Sequence, residues 1–223
     1  MTRSLFAKAM VLFFAGLLLI ALLIFVPAGT LRYPGGLLLC AILFIPMFIA
    51  GLVMMVKAPA LLEKRLRMKE EQAEQSTVIK LSGLMFIAGF VLSGLDFRFG
   101  WLPLPGWVSA AAAVVFLIAY ALYAEVLREN AYLSRTIKVQ EGQKVVDTGL
   151  YGVVRHPMYA VTLLLFMSMP LVLGSAIGFI VFLAYPAIIA KRIRNEEEVL
   201  TEGLAGYAEY KQKVRWRMIP FIW

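Results

Sequence analysis

Long apolar runs divided by short polar stretches are the first pattern along the chain. The first run covers about residues 5–26, follows Arg3 and carries Lys8 near its start. A secretory signal has an apolar core of only about 7–15 residues. This run is longer and meets Pro27, so a retained membrane span is expected. Further runs cover about residues 36–56, 81–95 and 108–126. The stretch 157–190 is too long for one straight span of about 20 residues. Pro170 and the Leu173-Gly174-Ser175 sequence sit near its middle, which predicts a helical hairpin and a fifth and sixth span. The expected fold is all-α: a polytopic membrane protein of about six transmembrane helices, the last two a hairpin. Residues 1–127 would form a four-span membrane region. Residues 128–223 would form a C-terminal catalytic region of cytoplasmic segment, hairpin and cytoplasmic tail.

Charge placement tests that topology. With a cytoplasmic N-terminus, 20 of the 22 Lys and Arg residues fall on the cytoplasmic side, all but Arg32 and Arg98. Cytoplasmic loops carry such an excess in membrane proteins. Removing the hairpin would put the C-terminal basic cluster outside, so six spans fit better than five. Both termini are then expected in the cytoplasm. Residues 58–77 carry mixed charge and read either as an amphipathic helix on the membrane surface or as a solvated connector.

Composition agrees with a membrane chain. Of 223 residues 61% are hydrophobic and 16% charged, where soluble domains have about 45–50% and about 25%. A net charge of +8 would suit nucleic acid, but the charges lie in short loops where they orient the protein in a bilayer. No nucleic-acid partner is expected. One Cys (Cys40) and one His (His156) make neither an intrachain disulfide nor a usual zinc or bis-histidine haem site, so no metal is expected. Mid-membrane ionisable groups, which mark most transporters, are missing from the predicted spans; Asp96 and Glu125 lie near span ends.

Candidate chemistry gathers at the cytoplasmic interface. In the segment Tyr151 to Tyr159, His156 precedes Pro157, which biases His156 to an extended backbone and suits the first turn of a helix. His156 is therefore expected just before the N-terminus of the fifth span. A helix start offers free N–H groups and partial positive charge to a carboxylate or phosphate. The plain alternative is an interfacial His and Tyr marking a helix boundary. At the end of the sixth span, Arg192 and Glu196 are four residues apart and share a helix face. They are either an exposed ion pair or a cation and a carboxylate facing a polar ligand. The hairpin would bring His156 and Glu196 to one surface. Tyr207, Tyr210, Arg215, Trp216 and Arg217 follow in the tail, where an interfacial anchoring role competes with a ligand role.

Together these residues resemble the isoprenylcysteine carboxyl methyltransferase family of integral membrane methyltransferases, and more loosely the phospholipid methyltransferases. The resemblance runs over residues 140–223. Arg155-His156-Pro157-Met158-Tyr159 looks like the family's Arg-His-Pro-x-Tyr motif. Glu196-Glu197, followed by Leu200 and Tyr207-x-x-Tyr210, looks like its Glu-Glu motif. The resemblance implies S-adenosylmethionine as cofactor, in a cytoplasmic pocket. It carries cofactor binding onto Gln140, Gln143, Lys144, Val145, Val146, Tyr151, His156, Pro157, Met158, Tyr159, Glu196 and Glu197. It carries substrate binding onto Arg192, and makes Arg192, Glu196 and His156 the candidate catalytic residues. Two features depart from the eukaryotic enzymes: a shorter stretch between Gln140 and Tyr151, and Val214-Arg215-Trp216-Arg217 where they have Val-Pro.

Methyl transfer from a sulfonium is an in-line displacement, to which a protein contributes mainly proximity and orientation. The residue types suit that task. A carboxylate such as Glu196 can hold cofactor amino or hydroxyl groups, a Tyr face can lie against the sulfonium, and Arg192 can grip an acceptor carboxylate bidentately. The expected partner is a prenylated or otherwise lipophilic acceptor entering from membrane lipid. Two alternatives stay open: a methyltransferase for a phospholipid amine or small thiol, and a non-enzymatic membrane scaffold or transporter.

Overall fold

A computed structural model describes residues 3–66, 73–130, 132–133, 137 and 139–223. Arg67, Lys69, Arg135 and Lys138, which enter the charge argument, lie outside the described residues, as do the side chains of Arg3, Lys64 and Arg65. Among the described residues every regular element is helical. The first four apolar runs become α1 (Arg3–Ala28), α2 (Pro34–Lys57), α4 (Ala73–Phe99) and α5 (Gly106–Glu129). Each is one to eight residues longer at its ends than the apolar run predicts, because polar flanks continue the helix beyond the hydrocarbon-compatible core. The surface-helix expectation meets α3 (Pro59–Leu66), whose Leu62 packs with Ala9 and Met55, while residues 67–72 lie outside the described set.

The stretch after residue 156 divides where Gly and Pro predict. α6 (Pro157–Val172) starts with Pro157 at its first position and ends two residues after Pro170. Gly174, at φ 75°, makes the turn, a conformation costly for any residue with a Cβ. Ser175 then caps α7 (Ala176–Phe182) by accepting from the Gly178 N–H at 3.0 Å. A second break falls at Leu183–Ala184, before α8 (Tyr185–Gly203), which has Pro186 in its first turn. The short α9 (Tyr207–Lys213) and a tail to Trp223 complete the chain. Among the described residues five helical stretches are long and apolar enough to cross a membrane, counting α7–α8 as one; α6 is apolar but has 16 residues.

The helices pack as a bundle whose outside is apolar. Phe116, Ala119, Phe182, Leu39 and Ile24 are fully buried at its centre. Leu18 and Leu22 of α1, Ile45 and Ile49 of α2, Leu84 of α4 and Ile118 of α5 point outward. Apolar surface on this scale is what lipid covers. Close approach of α4 and α7 depends on small residues: a Cβ on Gly178 would overlap Ser93 Oγ, and one on Gly89 would overlap the Phe182 ring. Small residues serve this purpose in membrane bundles.

A buried polar knot fixes the α6–α7 turn. Asp96 accepts from the Leu102 N–H at 2.7 Å and from Ser175 Oγ at 2.5 Å, and the Tyr33 hydroxyl donates to the Leu173 carbonyl. The α4–α5 connection pairs with the same turn through Leu104 N–H to Gly174 O, 2.8 Å, and Ala176 N–H to Leu102 O, 3.2 Å. With that turn pinned at one end of the bundle, the start of α6 and the polar half of α8 meet at the other. Thr162 and Tyr185 join hydroxyls at 3.0 Å across them.

Candidate functional site

His156 sits at the N-cap of α6 with φ −124° and ψ 61°, outside the helical region that Pro157 disfavours but short of the extended backbone expected. A 3-10 turn at Gly149–Gly152 and the buried Val154 lead into it. The C-terminal tail runs alongside: the Arg155 N–H donates to Trp216 O at 2.9 Å, and the His156 N–H to Arg217 O at 2.8 Å. Arg155, buried, donates from Nη1 to the Val214 and Arg215 carbonyls at 2.7 and 2.8 Å, and from Nε to Glu197 Oε1 at 2.6 Å. His156 Nε2 lies 3.3 Å from that same oxygen, and Arg217 Nε donates to Oε2 at 2.9 Å.

Glu197 is therefore the hub of a buried cluster. Burial alone would push its carboxyl upward, but bonds from His156, Arg155 and Arg217 outweigh that and hold it well below the usual carboxylate range. The cluster explains its own position. Tyr185, Ile189, Ile193 and Glu197 are four apart on α8 and all buried, so the last polar turn of the core-facing stripe must bury a charge. A buried carboxylate is tolerated only when paired and hydrogen-bonded, and three cationic or imidazole groups meet it.

The neighbouring stripe of α8 faces a cleft. Glu196, Leu200 and Leu204 lie on it, together with Arg192 one turn before. The Tyr159 hydroxyl donates to Glu196 Oε2, and Arg192 Nε donates to that hydroxyl at 2.9 Å. Tyr159 thus stands between the two side chains that the sequence places on one face. Its ring lies 5.7 Å from that of His156.

The cleft encloses about 90 Å³ and is partly open to solvent. Of the residues expected to bind cofactor, Gln143, Lys144, Val145, Val146, Tyr151, His156, Met158, Tyr159 and Glu196 line it. Four expected site residues are not in its lining. Pro157 begins α6, and Glu197 is taken up by the buried cluster. Gln140 holds a turn, its amide donating to Tyr132 O and its backbone N–H to Gln143 Oε1 at 2.8 Å. Arg192 reaches the cleft through Tyr159. The carboxylate expected at His156 is supplied at its Nε2 by the chain's own Glu197.

Asn130, Tyr132, Leu133, Ile137, Arg155, Leu200 and Leu204 also line the cleft and were not singled out as ligands by the sequence, and Tyr207 and Tyr210, for which an anchoring role competed with a ligand role, line it as well. The α8 members could have been found by continuing the Arg192–Glu196 spacing for two more turns. Tyr151 is fixed by its neighbours: Asn130 Nδ2 donates to its hydroxyl at 3.0 Å, and the Tyr210 hydroxyl donates to its carbonyl at 2.7 Å. Val145, Leu200, Leu204, Tyr207 and Tyr210 form an apolar cluster in the lining, and His156, Tyr159 and Glu196 line the same cleft. Among the described residues no three His, Cys, Asp or Glu side chains are grouped to hold a metal ion.

Known proteins resemble this chain in both sequence and shape. The model of the isoprenylcysteine carboxyl methyltransferase (ICMT) family matches residues 110–202. The match begins inside α5, upstream of residue 140 where the resemblance was placed, and ends before α9 and the tail. The Delta(14)-sterol reductase TM7SF2 of Mus musculus is 29% identical over 91 residues, 40% of this chain and 22% of that protein. The uncharacterized protein YpbQ of Bacillus subtilis is 30% identical over 97 residues, 43% of this chain and 58% of that protein. A Delta(14)-sterol reductase of Methylotuvimicrobium alcaliphilum is 25% identical over 138 residues, 54% of this chain and 32% of that protein. The chain thus spans less than two thirds of each of these relatives. A solved structure of the eukaryotic intramembrane Ras methyltransferase ICMT (isoprenylcysteine carboxyl methyltransferase) superposes with a TM-score of 0.57 at 18% identity, over 93% of this chain and 75% of that one. That likeness is one of fold.

Proposed function

We propose, from the premise that residues 110–202 of this chain belong to the isoprenylcysteine carboxyl methyltransferase family, that the protein transfers a methyl group from S-adenosylmethionine to the carboxylate of a prenylated or otherwise lipophilic acceptor. The observation that carries this reading is the chain of contacts Glu196–Tyr159–Arg192. It joins a solvent-open cleft to a cation one helical turn nearer the apolar part of α8. A water-soluble donor and a lipid-borne acceptor would meet along such a line.

The donor set fits a nucleoside sulfonium. The apolar cluster in the cleft lining suits a flat base, and Glu196 suits amino or hydroxyl groups. The cofactor, when bound, supplies an electrophilic methyl group. The protein's part is to position: Tyr159 holds Glu196 and Arg192 in fixed relation, and Arg192 can orient an acceptor carboxylate. Gln143, Lys144, Val145 and Val146 line the cleft beside a turn that Gln140 holds, Tyr151 and Met158 line it too, and Pro157 starts the helix that carries Met158 and Tyr159. Glu197 acts by fixing the tail and His156.

Calorimetry on purified protein in detergent tests the donor. S-adenosylmethionine or its demethylated product is expected to bind at micromolar affinity, roughly −8 kcal/mol. Absence of heat and of thermal stabilisation at millimolar cofactor would overturn the reading. The sequence likeness to two Delta(14)-sterol reductases favours a second reading, a lipid reductase. Binding of a reduced nicotinamide dinucleotide in place of the methyl donor would select it. A lipid amine or thiol acceptor, in place of a carboxylate, would emerge from extracts screened with labelled methyl donor.

The membrane arrangement in this reading has six crossings, α6 and α7–α8 being the last two, with both termini in the cytoplasm. It is supported by the 20-to-2 division of Lys and Arg. Trp223→Cys is expected to react with impermeant thiol reagents only after the membrane is opened. Labelling in intact cells would overturn this topology.

A further inference from the structure

The Tyr207 hydroxyl is the one buried side-chain polar atom among the described residues that meets no hydrogen-bond partner. Tyr207 is 4% exposed and lines the cleft. Native proteins leave few such groups unpaired, because a buried donor without an acceptor has lost its water for nothing. Its neighbour one turn on shows the contrast: Tyr210, equally buried, donates to Tyr151 O at 2.7 Å. Tyr210 is used by the fold, and Tyr207 is not.

The surroundings specify what would accept from it. Burial first, and then the carboxylates of Glu197 and Glu196, push the Tyr207 hydroxyl well above its ordinary pKa, with Arg155 opposing them less strongly. The phenol stays protonated and is available to donate. The same negative potential disfavours an anion at that oxygen. Val145, Leu200 and Leu204 pack with Tyr207 and line the same cleft, so whatever lies against them presents an apolar body. A flat heteroaromatic ring with a neutral ring nitrogen meets all three conditions: apolar faces, an acceptor in its plane, and no charge.

We propose that Tyr207 donates a hydrogen bond to a ring nitrogen of the adenine of the bound methyl donor, making the part of the cleft formed by Val145, Leu200 and Leu204 the base subsite. The assignment rests on the methyl-donor reading above.

The test uses the full chain in detergent, with S-adenosylhomocysteine and its 1-deaza, 3-deaza and 7-deaza analogues as probes, in wild type, Tyr207→Phe and Tyr210→Phe. Tyr207→Phe is expected to weaken S-adenosylhomocysteine by roughly five- to ten-fold, the worth of a neutral hydrogen bond. The melting midpoint of the ligand-free variant should equal or exceed that of wild type, because only an unpartnered hydroxyl is lost. Tyr210→Phe, which loses a made bond, should melt lower. One deaza analogue should bind wild type as weakly as the natural ligand binds Tyr207→Phe, with no further loss in the variant. Wild-type binding with less than about a three-fold change in Tyr207→Phe, or deaza losses of equal size in both proteins, overturns the base subsite alone. Failure of wild type to bind S-adenosylhomocysteine overturns the methyl-donor reading and the subsite with it.

Discussion

Glu197→Gln will lower the stability of the protein by about 3–5 kcal/mol, the cost of leaving one partner of a buried ion pair uncompensated. The side chain keeps its size but loses the charge that faces Arg155, His156 and Arg217. Arg155 has two carbonyls to fall back on and Arg217 is a third exposed, so the lower end of that range is expected. At roughly 2–4 °C per kcal/mol for a chain of this size, thermal unfolding in detergent should shift by about 6–12 °C. The same substitution frees the tail, so trypsin should cut after Arg215 and Arg217 faster than in wild type. The pH dependence has a definite sign. The folded carboxyl lies below its ordinary value, so its contribution is fully present above the unfolded value of about 4.3. The gap between wild type and variant should persist down to that pH and close only as pH falls further, through the folded value. A shift under about 2 °C at neutral pH, with unchanged proteolysis, would show that Glu197 does not hold the tail.

Glu196 and Glu197 also show how far the sequence could be read. Adjacent residues on a helix point about 100° apart, so the two cannot share one role. Counting by fours from Tyr185 through Ile189 and Ile193 reaches Glu197 on the buried stripe. Counting from Arg192 reaches Glu196, Leu200 and Leu204 on the stripe beside it. Both counts are available in the sequence, and they separate a cleft-facing carboxylate from a structural one where motif resemblance treats the pair alike. The helix starts at Pro34 and Pro157 and the turn at Gly174 were legible for local reasons, since Pro fixes φ and only Gly sits easily at positive φ. The tail was not. Its carbonyls are bound to Arg155 through contacts about 60 residues apart in the chain, and no periodicity encodes such a pairing. Tyr207 and Tyr210 were legible as a motif, but only their hydrogen bonds divide them into a free and a used hydroxyl. Arg192 and Glu196 were expected to serve substrate and cofactor respectively, and the position of Tyr159 between them was unforeseen because it comes from another helix.

That intervening phenol sharpens the test of the catalytic reading. Glu196→Gln is expected to weaken binding of the methyl donor by about 1.5–3 kcal/mol, the range for a hydrogen bond to a charged group. Arg192→Ala is expected to leave donor affinity nearly intact and to reduce turnover by about 100-fold, the cost of a misplaced reacting group. Were the two side chains independent, their combined effect on kcat/KM would be the sum of the single effects. Tyr159 touches both, so the pair should instead be coupled, by about 0.5–3 kcal/mol as for residues in one network. Tyr159→Phe removes the shared hydroxyl while keeping the ring beside His156. In that background the coupling between Glu196→Gln and Arg192→Ala should vanish, and the Phe variant alone should lose both donor affinity and turnover. The measurement is donor affinity by calorimetry beside turnover with an acceptor found in the labelled-extract screen. An exposed helix ion pair would give changes near zero in every variant, and that result would remove the case for a site at this end of α8. Additive effects that persist in Tyr159→Phe would keep the site but deny the phenol its part in joining donor to acceptor.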